Sequence, residues 1–267
     1  MKDTATDHDI GFGTALRRYG VVMMALLRRE EELRRAAPLE AMLSVLEPIL
    51  LITVSTISFE LMLKFRGAGP LGGSPVLFYA TGFFANYFFI YLSRRMGRSV
   101  DAPGRRFPLE QTLDLMIVHI ILNMIDYTLL GILLFGGIYF VSTEQALPYN
   151  IVPIFEASAA IMMLGFGVGV VNLVMSRIFK LWKFLFPPVM RFSMIFSGMF
   201  YVLDMLPPSS RYVLSFNPMA HAVILFRRGF YPNQPTLVLD THYLFECAFA
   251  AVFLGLIIER LARRGEG

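Results

Sequence analysis

His119, Asn123 and Asp126 lie at positions i, i+4 and i+7 of a long apolar run, so a helix there carries all three on one face. Ionisable side chains inside a membrane are costly and turn toward protein or water. Two readings follow from that. A proton relay or metal site would use the imidazole and carboxylate directly. A hydrogen-bonded seam between helices would use the same groups as structural partners, and three polar groups complete no metal site without further ligands. A second acid, Glu47, directly precedes Pro48, whose missing N–H can kink a helix. A carboxylate in that setting needs a partner, and Arg191 is the candidate cation unless it snorkels to an interface. The third feature is aromatic: Tyr79, Phe83, Tyr87 and Tyr91 recur every fourth residue, flanked by Phe84 and Phe88. Flat amphipathic rings can form a surface along which a hydroxyl-rich chain slides. They serve equally well in packing, or against lipid and its interface.

Signatures of catalysis are missing. No Gly-Lys dipeptide occurs, so there is no phosphate-binding P-loop, and no His-Glu-x-x-His zinc motif occurs either. Gly165-Phe-Gly167-Val-Gly169 has the look of a nucleotide fingerprint but sits inside an apolar run. There Gly165 and Gly169, four apart, predict close helix packing. The expectation is a chain with no catalytic residue, no metal ligand and no cofactor of its own.

The elements that must position these groups read as membrane helices. Of the residues, 56% are hydrophobic and 16% charged, against about 25% charged in soluble proteins. One cysteine excludes an internal disulfide, and no polar stretch exceeds about 40 residues, too short for a separate soluble domain. The whole chain, 1–267, therefore reads as a single transmembrane domain of the all-α class. An amphipathic helix is expected over 12–33, lying on the cytoplasmic face. Six spans follow at about 39–63, 76–92, 112–140, 151–175, 184–203 and 242–258. The net charge of +4 belongs to topology rather than to nucleic acid, because the basic residues bunch between alternate apolar runs. Eighteen fall at the N-terminus, around Arg94–Arg106, at Arg177–Lys183 and at the C-terminus; five fall in the opposite connections. Both termini are thus expected to be cytoplasmic.

Between the fifth and sixth spans lies MIFSGMFYVLDMLPPSSRYVLSFNPMAHAVILFRRGFYP, from Met194. Its apolar start breaks at Pro207-Pro208 and restarts at Asn217-Pro218, where Asn217 can cap a helix and Pro218 suits the first helical position. The restarted run is expected to stop at Gly229 in the left-handed conformation. It holds roughly a dozen residues where a span needs about 20, so segment 204–232 reads as a re-entrant helix on the external side. Arg227 and Arg228 fall near the end of that helix, favourably placed against its dipole and able to meet an anionic polymer.

SGMFYVLDMLP, a following Tyr, SFNPMAHAV and a nearby Arg, together with Leu46-Glu47-Pro48 and Gly167-Val-Gly169, resemble the type-2 ABC transporter permeases, closest to the inner-membrane permeases of capsular polysaccharide export. The resemblance implies a homodimer in the bacterial inner membrane, surrounded by membrane lipid. It also implies two separate nucleotide-binding ATPase subunits that carry the ATP, and periplasmic and outer-membrane export proteins. On this reading Tyr79, Phe83, Tyr87, Phe200, Tyr201, Arg227 and Arg228 are substrate-path candidates, and Glu47, Pro48, Asn217, Pro218 and His221 structural or gating candidates. Arg28, Arg29, Glu30, Arg94, Arg95 and Arg98 are candidates for coupling to the ATPase. A type-2 permease for lipid-linked O-antigen, a teichoic-type polymer or a drug shares these features. A membrane-embedded enzyme using His119 and Asp126 is an alternative of another class.

Overall fold

The computed structural model describes residues 12–36, 38–64, 71, 75–98, 110–141 and 146–265. The basic residues counted within 1–11 and 99–109 lie outside the described residues. The fold is all-helical, at 83% helix, with no strand among the described residues. The helices are α1 (Phe12–Ala36), α2 (Pro38–Lys64), α3 (Pro75–Arg98), α4 (Glu110–Val141), α5 (Val152–Ile178), α6 (Trp182–Ile195), α7 (Pro208–Leu214), α8 (Pro218–Arg228) and α9 (Thr241–Gly265). Proline marks many of the starts: α2, α3, α7 and α8 open on one, and α5 carries Pro153 in its first turn. A first-turn proline forfeits only an N–H that has no helical partner anyway.

Among the described residues three stretches are long and apolar enough to cross a membrane: Pro75–Met96 of α3, Met116–Phe140 of α4 and Val152–Ile178 of α5. Helices also occupy the other expected positions, with one clear difference. The run expected to be helical over 184–203 is α6, which closes at Ile195 after 14 residues, or about 21 Å of rise against a hydrocarbon layer of about 30 Å. The chain then turns, with Gly198 at φ +72, and a short 3-10 turn follows at Leu203–Met205. A side chain at Gly198 would be strained at that φ and would run into Leu203.

α5 is the centre of the fold, packed against α3, α8 and α9. Its glycines decide how closely the neighbours approach. Gly165 meets Leu92 and Gly169 meets Met96, both on α3, whereas Gly167 faces the Ala251 backbone of α9. Two α3 side chains thus press onto one face of α5 while the α9 backbone lies on the other, the use of small residues expected for helices in lipid. Polar bonds reinforce the seam. Asn172 Nδ2 donates to the Ser93 carbonyl at 3.1 Å, and Trp182 Nε1 at the start of α6 donates to Asn172 Oδ1 at 2.9 Å.

Candidate functional site

The break after α6 and the short helix α8 are tied together by a set of side-chain hydrogen bonds. Asn217 has extended backbone geometry, and its Oδ1 accepts the Met219 N–H at 3.0 Å; Pro218 fills the first turn. The same side chain reaches α6, where Nδ2 donates to the Ser193 carbonyl at 3.2 Å. One residue thus caps α8 and ties it to the helix before the break. His221, one turn further on and 2% exposed, contacts the Ser215 carbonyl through Nε2 at 2.7 Å and accepts the Asp240 N–H at Nδ1 at 3.0 Å. Because Asp240 N–H can only donate and the Ser215 carbonyl can only accept, this pattern calls for the Nε2–H tautomer.

The left-handed stop expected at Gly229 does not occur. Gly229 sits at φ −71, ψ −24, and Gly198 is the one positive-φ residue among those described. What requires glycine at 229 is closeness to another helix: a Cβ there would collide with Ile154 and lie 2.8 Å from the Asn150 carbonyl.

Arg227 and Arg228 part company. Arg228 is exposed, while Arg227 is 1% exposed and faces inward. Arg227 Nη1 donates to the Gly198 carbonyl at 2.8 Å, and Nη2 donates to the carbonyls of Met199 at 2.6 Å and Phe78 at 3.2 Å. The guanidinium also lies over the Phe78 ring, 3.6 Å from its centroid. The polymer contact expected of this pair is therefore open to Arg228 only; Arg227 clamps the turn after α6 to the start of α3. Gly82 makes room for the clamp, since a Cβ there would lie 2.6 Å from Nη2 and 2.9 Å from the Met199 carbonyl. Spacing gives no hint of Gly82, because its contact comes from a residue 145 positions away.

The aromatic candidates are partly brought together. Phe83 stacks with Tyr87 at 6.2 Å and meets Phe200 edge-on at 5.7 Å. Tyr201, beside Phe200, donates from its hydroxyl to the Ile195 carbonyl at 3.2 Å. Tyr79 and Phe83 are buried in the protein, whereas Tyr87, Phe200 and Tyr201 keep part of their surface open. Ser55, Arg94, Arg191 and Glu47 act electrostatically on the Tyr87 phenol, while Glu47 and Arg191 are themselves exposed, with no ion pair between them among the described residues.

Arg95, expected in a coupling loop, instead reaches back along α3. Its Nη1 donates to Asn123 Oδ1 at 3.1 Å, to Asp126 Oδ2 at 3.4 Å and to the Tyr91 hydroxyl at 3.2 Å. Asn123 and Asp126 of the polar stripe thereby form a seam between α3 and α4; His119 is buried on the same helix. Arg28 and Arg29 are exposed on α1. The side chains of Glu30, Pro48 and Arg98 lie outside the described ones, and no group of three or more His, Cys, Asp or Glu arranged for a metal occurs among the described residues. No protein-family model matches this chain, and no curated protein matches it.

Proposed function

We propose that this chain is the permease subunit of an ATP-driven exporter that moves capsular or related polysaccharide across the bacterial inner membrane. The observation that carries the reading is α8. A capped helix of 11 residues, buried from Met219 to Arg227, is too short to span and lies between an apolar helix that stops early and the apolar α9. A helix of that kind turns back into the membrane from one side, and its ends are held by protein because lipid supplies no hydrogen bonds. In this reading α2, α3, α4, α5, α6 with the turn after it, and α9 are the six spans, and α7 and α8 enter from the external side. Exposed apolar side chains support lipid contact, including Leu50, Val54 and Leu61 on α2, Ile125 and Ile132 on α4, and Phe249 and Phe253 on α9.

Two copies form the path, and two nucleotide-binding subunits dock on the cytoplasmic side, where α1 presents Arg28 and Arg29. Periplasmic and outer-membrane proteins continue the path outward. ATP belongs to the partner subunits, since this chain carries no P-loop. The test is copurification with a nucleotide-binding subunit encoded beside it. The pair is expected to hydrolyse ATP, and the permease alone is not; stoichiometric hydrolysis by the permease alone overturns the proposal. A periplasm-specific reporter fused after Ala146 or Asn233 is expected to be active and one fused after Lys180 or Arg264 silent.

A further inference from the structure

Between α4 and the first turns of α5 runs a groove of about 410 Å³. Met124, Thr128, Ile132 and Gly136 recur every fourth residue along one stripe of α4 and form one wall. Ile154, Phe155 and Ser158 of α5 stand opposite, and Phe84, Phe88 and Phe226 from α3 and α8 close the floor. Ring contacts hold that floor in place: Phe88 stacks on Tyr127 at 4.1 Å, and Phe84 lies 5.4 Å from Phe226. The open side lies between Ile132 and Phe155, which are 65% and 69% exposed. From Met124 to Gly136 the helix rises about 18 Å. Leu147 and Pro148, in the connection between the two helices, line one end of the groove; the other end lies near the middle of the Met116–Phe140 stretch. The groove thus runs from a membrane interface to mid-bilayer, the depth of one leaflet, which is about 15 Å of hydrocarbon.

We propose that this groove holds one acyl chain of a membrane phospholipid. Its polarity excludes a hydrophilic ligand. No charged side chain lines it among the described residues, and two of its three hydroxyls are already bonded, Tyr127 to the Phe84 carbonyl at 2.7 Å and Thr128 to the Met124 carbonyl at 2.8 Å. A polar molecule would find little there to replace the hydrogen bonds it left in water. Its shape excludes a partner helix. Spread over that length, the volume is a slot roughly 5 Å wide, against 10–12 Å for a helix with its side chains. A polymethylene chain, whose carbons pack about 4 Å from their neighbours, enters such a slot. Its position fits a phospholipid, with the entrance at the level of the headgroup and the closed end where the chain's methyl terminus lies. Gly136 borders open space, since a Cβ there meets nothing within 4 Å. A chain in the groove touches protein on three sides, whereas one against the exposed faces of α2 or α9 touches it on one, so it stays when the surrounding lipid is stripped away. Any membrane setting for α4 and α5 suffices, whatever the chain exports.

The full chain is purified in dodecyl maltoside, washed free of bulk lipid and weighed intact by native mass spectrometry. One phospholipid per chain is expected to remain. Gly136→Leu, at a position where a Cβ meets no protein atom, fills the groove and is expected to cut that occupancy about tenfold. Thr128→Phe, at an exposed position, is expected to do the same from the rim. Val54→Leu, exposed on α2, is expected to leave the occupancy unchanged. Palmitoyl-oleoyl phosphatidylglycerol added back is expected to raise the unfolding temperature of the parent and of Val54→Leu, but not of the two groove variants. The same lipid with a diazirine in its oleoyl chain, supplied at one per chain, is expected to label 124–136 and 154–158 of the parent. Labelling needs no variant, so it decides even where a groove variant fails to fold. Absence of a retained phospholipid, retention by both folded groove variants, or labelling spread evenly over α2 and α9 overturns the proposal. So does a disulfide between two Ile132→Cys copies in a Cys247→Ser background, which would seat a second chain on the groove.

Discussion

α4 and α8 follow opposite logics. α4 is 32 residues long and contains a stretch able to cross a membrane, yet only 33% of that stretch is buried in protein. α8 has 11 residues, cannot cross, and is buried along nearly its whole length. In water the longer apolar helix would be the one hidden. In lipid an apolar face needs no protein cover, so α4 buries one side only: Phe135 packs on Phe84 and Tyr127 on Phe88, Arg95 bonds Asn123 and Asp126, and the Tyr127 hydroxyl donates to the Phe84 carbonyl at 2.7 Å. α8 has two helix ends close together and few turns between them, so it depends on Asn217 at one end and Arg227 at the other.

The comparison breaks most sharply at Arg227. Arg227→Ala leaves the carbonyls of Gly198 and Met199 without the guanidinium donor, whereas the Phe78 carbonyl keeps Thr81 Oγ1 at 2.9 Å; the loss is on the order of 3 kcal/mol. Little folded protein is expected by size-exclusion chromatography. Arg228→Gln, on an exposed neighbour, is expected to change stability by less than about 0.5 kcal/mol. Equal behaviour of the two variants would mean that the buried clamp does not hold α8.

At the opposite end of the helix, Asn217→Leu removes both the cap on Met219 and the bond to Ser193, together about 1–2 kcal/mol. Asn217→Asp keeps an acceptor for the cap and is expected to recover roughly half of that loss. Denaturation by SDS titration ranks the three proteins, and an Asp variant as weak as Leu would assign the effect to the α6 link.

Removing the charge from the α4 seam is expected to cost no more than losing the α8 cap. Asp126→Asn still offers Arg95 an oxygen, and the side chains of the pair are 19% and 15% exposed, so the cost is about 1 kcal/mol. Transport is expected to persist at the parent's pH profile. A stable, correctly inserted Asp126→Asn protein with no transport would turn the seam into a proton relay.

Much of this molecule was legible from local chemistry. Apolar runs long enough for a bilayer place α3, α4 and α5 within a few residues of their observed ends, because hydropathy and proline starts act over one helix at a time. Asn217 and Pro218 announce α8 for the same reason: a cap and a first-turn proline act within a few residues of sequence. The glycines at 165 and 169 likewise predict a close neighbour, though not that α3 is the helix they meet. Tertiary structure alone decided the rest. Arg227 and Arg228 are identical in type and adjacent in sequence, and only the turn at Gly198 and the opening at Gly82 make one a buried clamp and leave the other at the surface. Gly229 reads as a left-handed stop, but the helix beside it, not its own φ, excludes a side chain. Local patterns carry periodicity and caps; which carbonyls converge on a buried guanidinium depends on segments brought together from 78, 198 and 199, and no local spacing encodes that meeting.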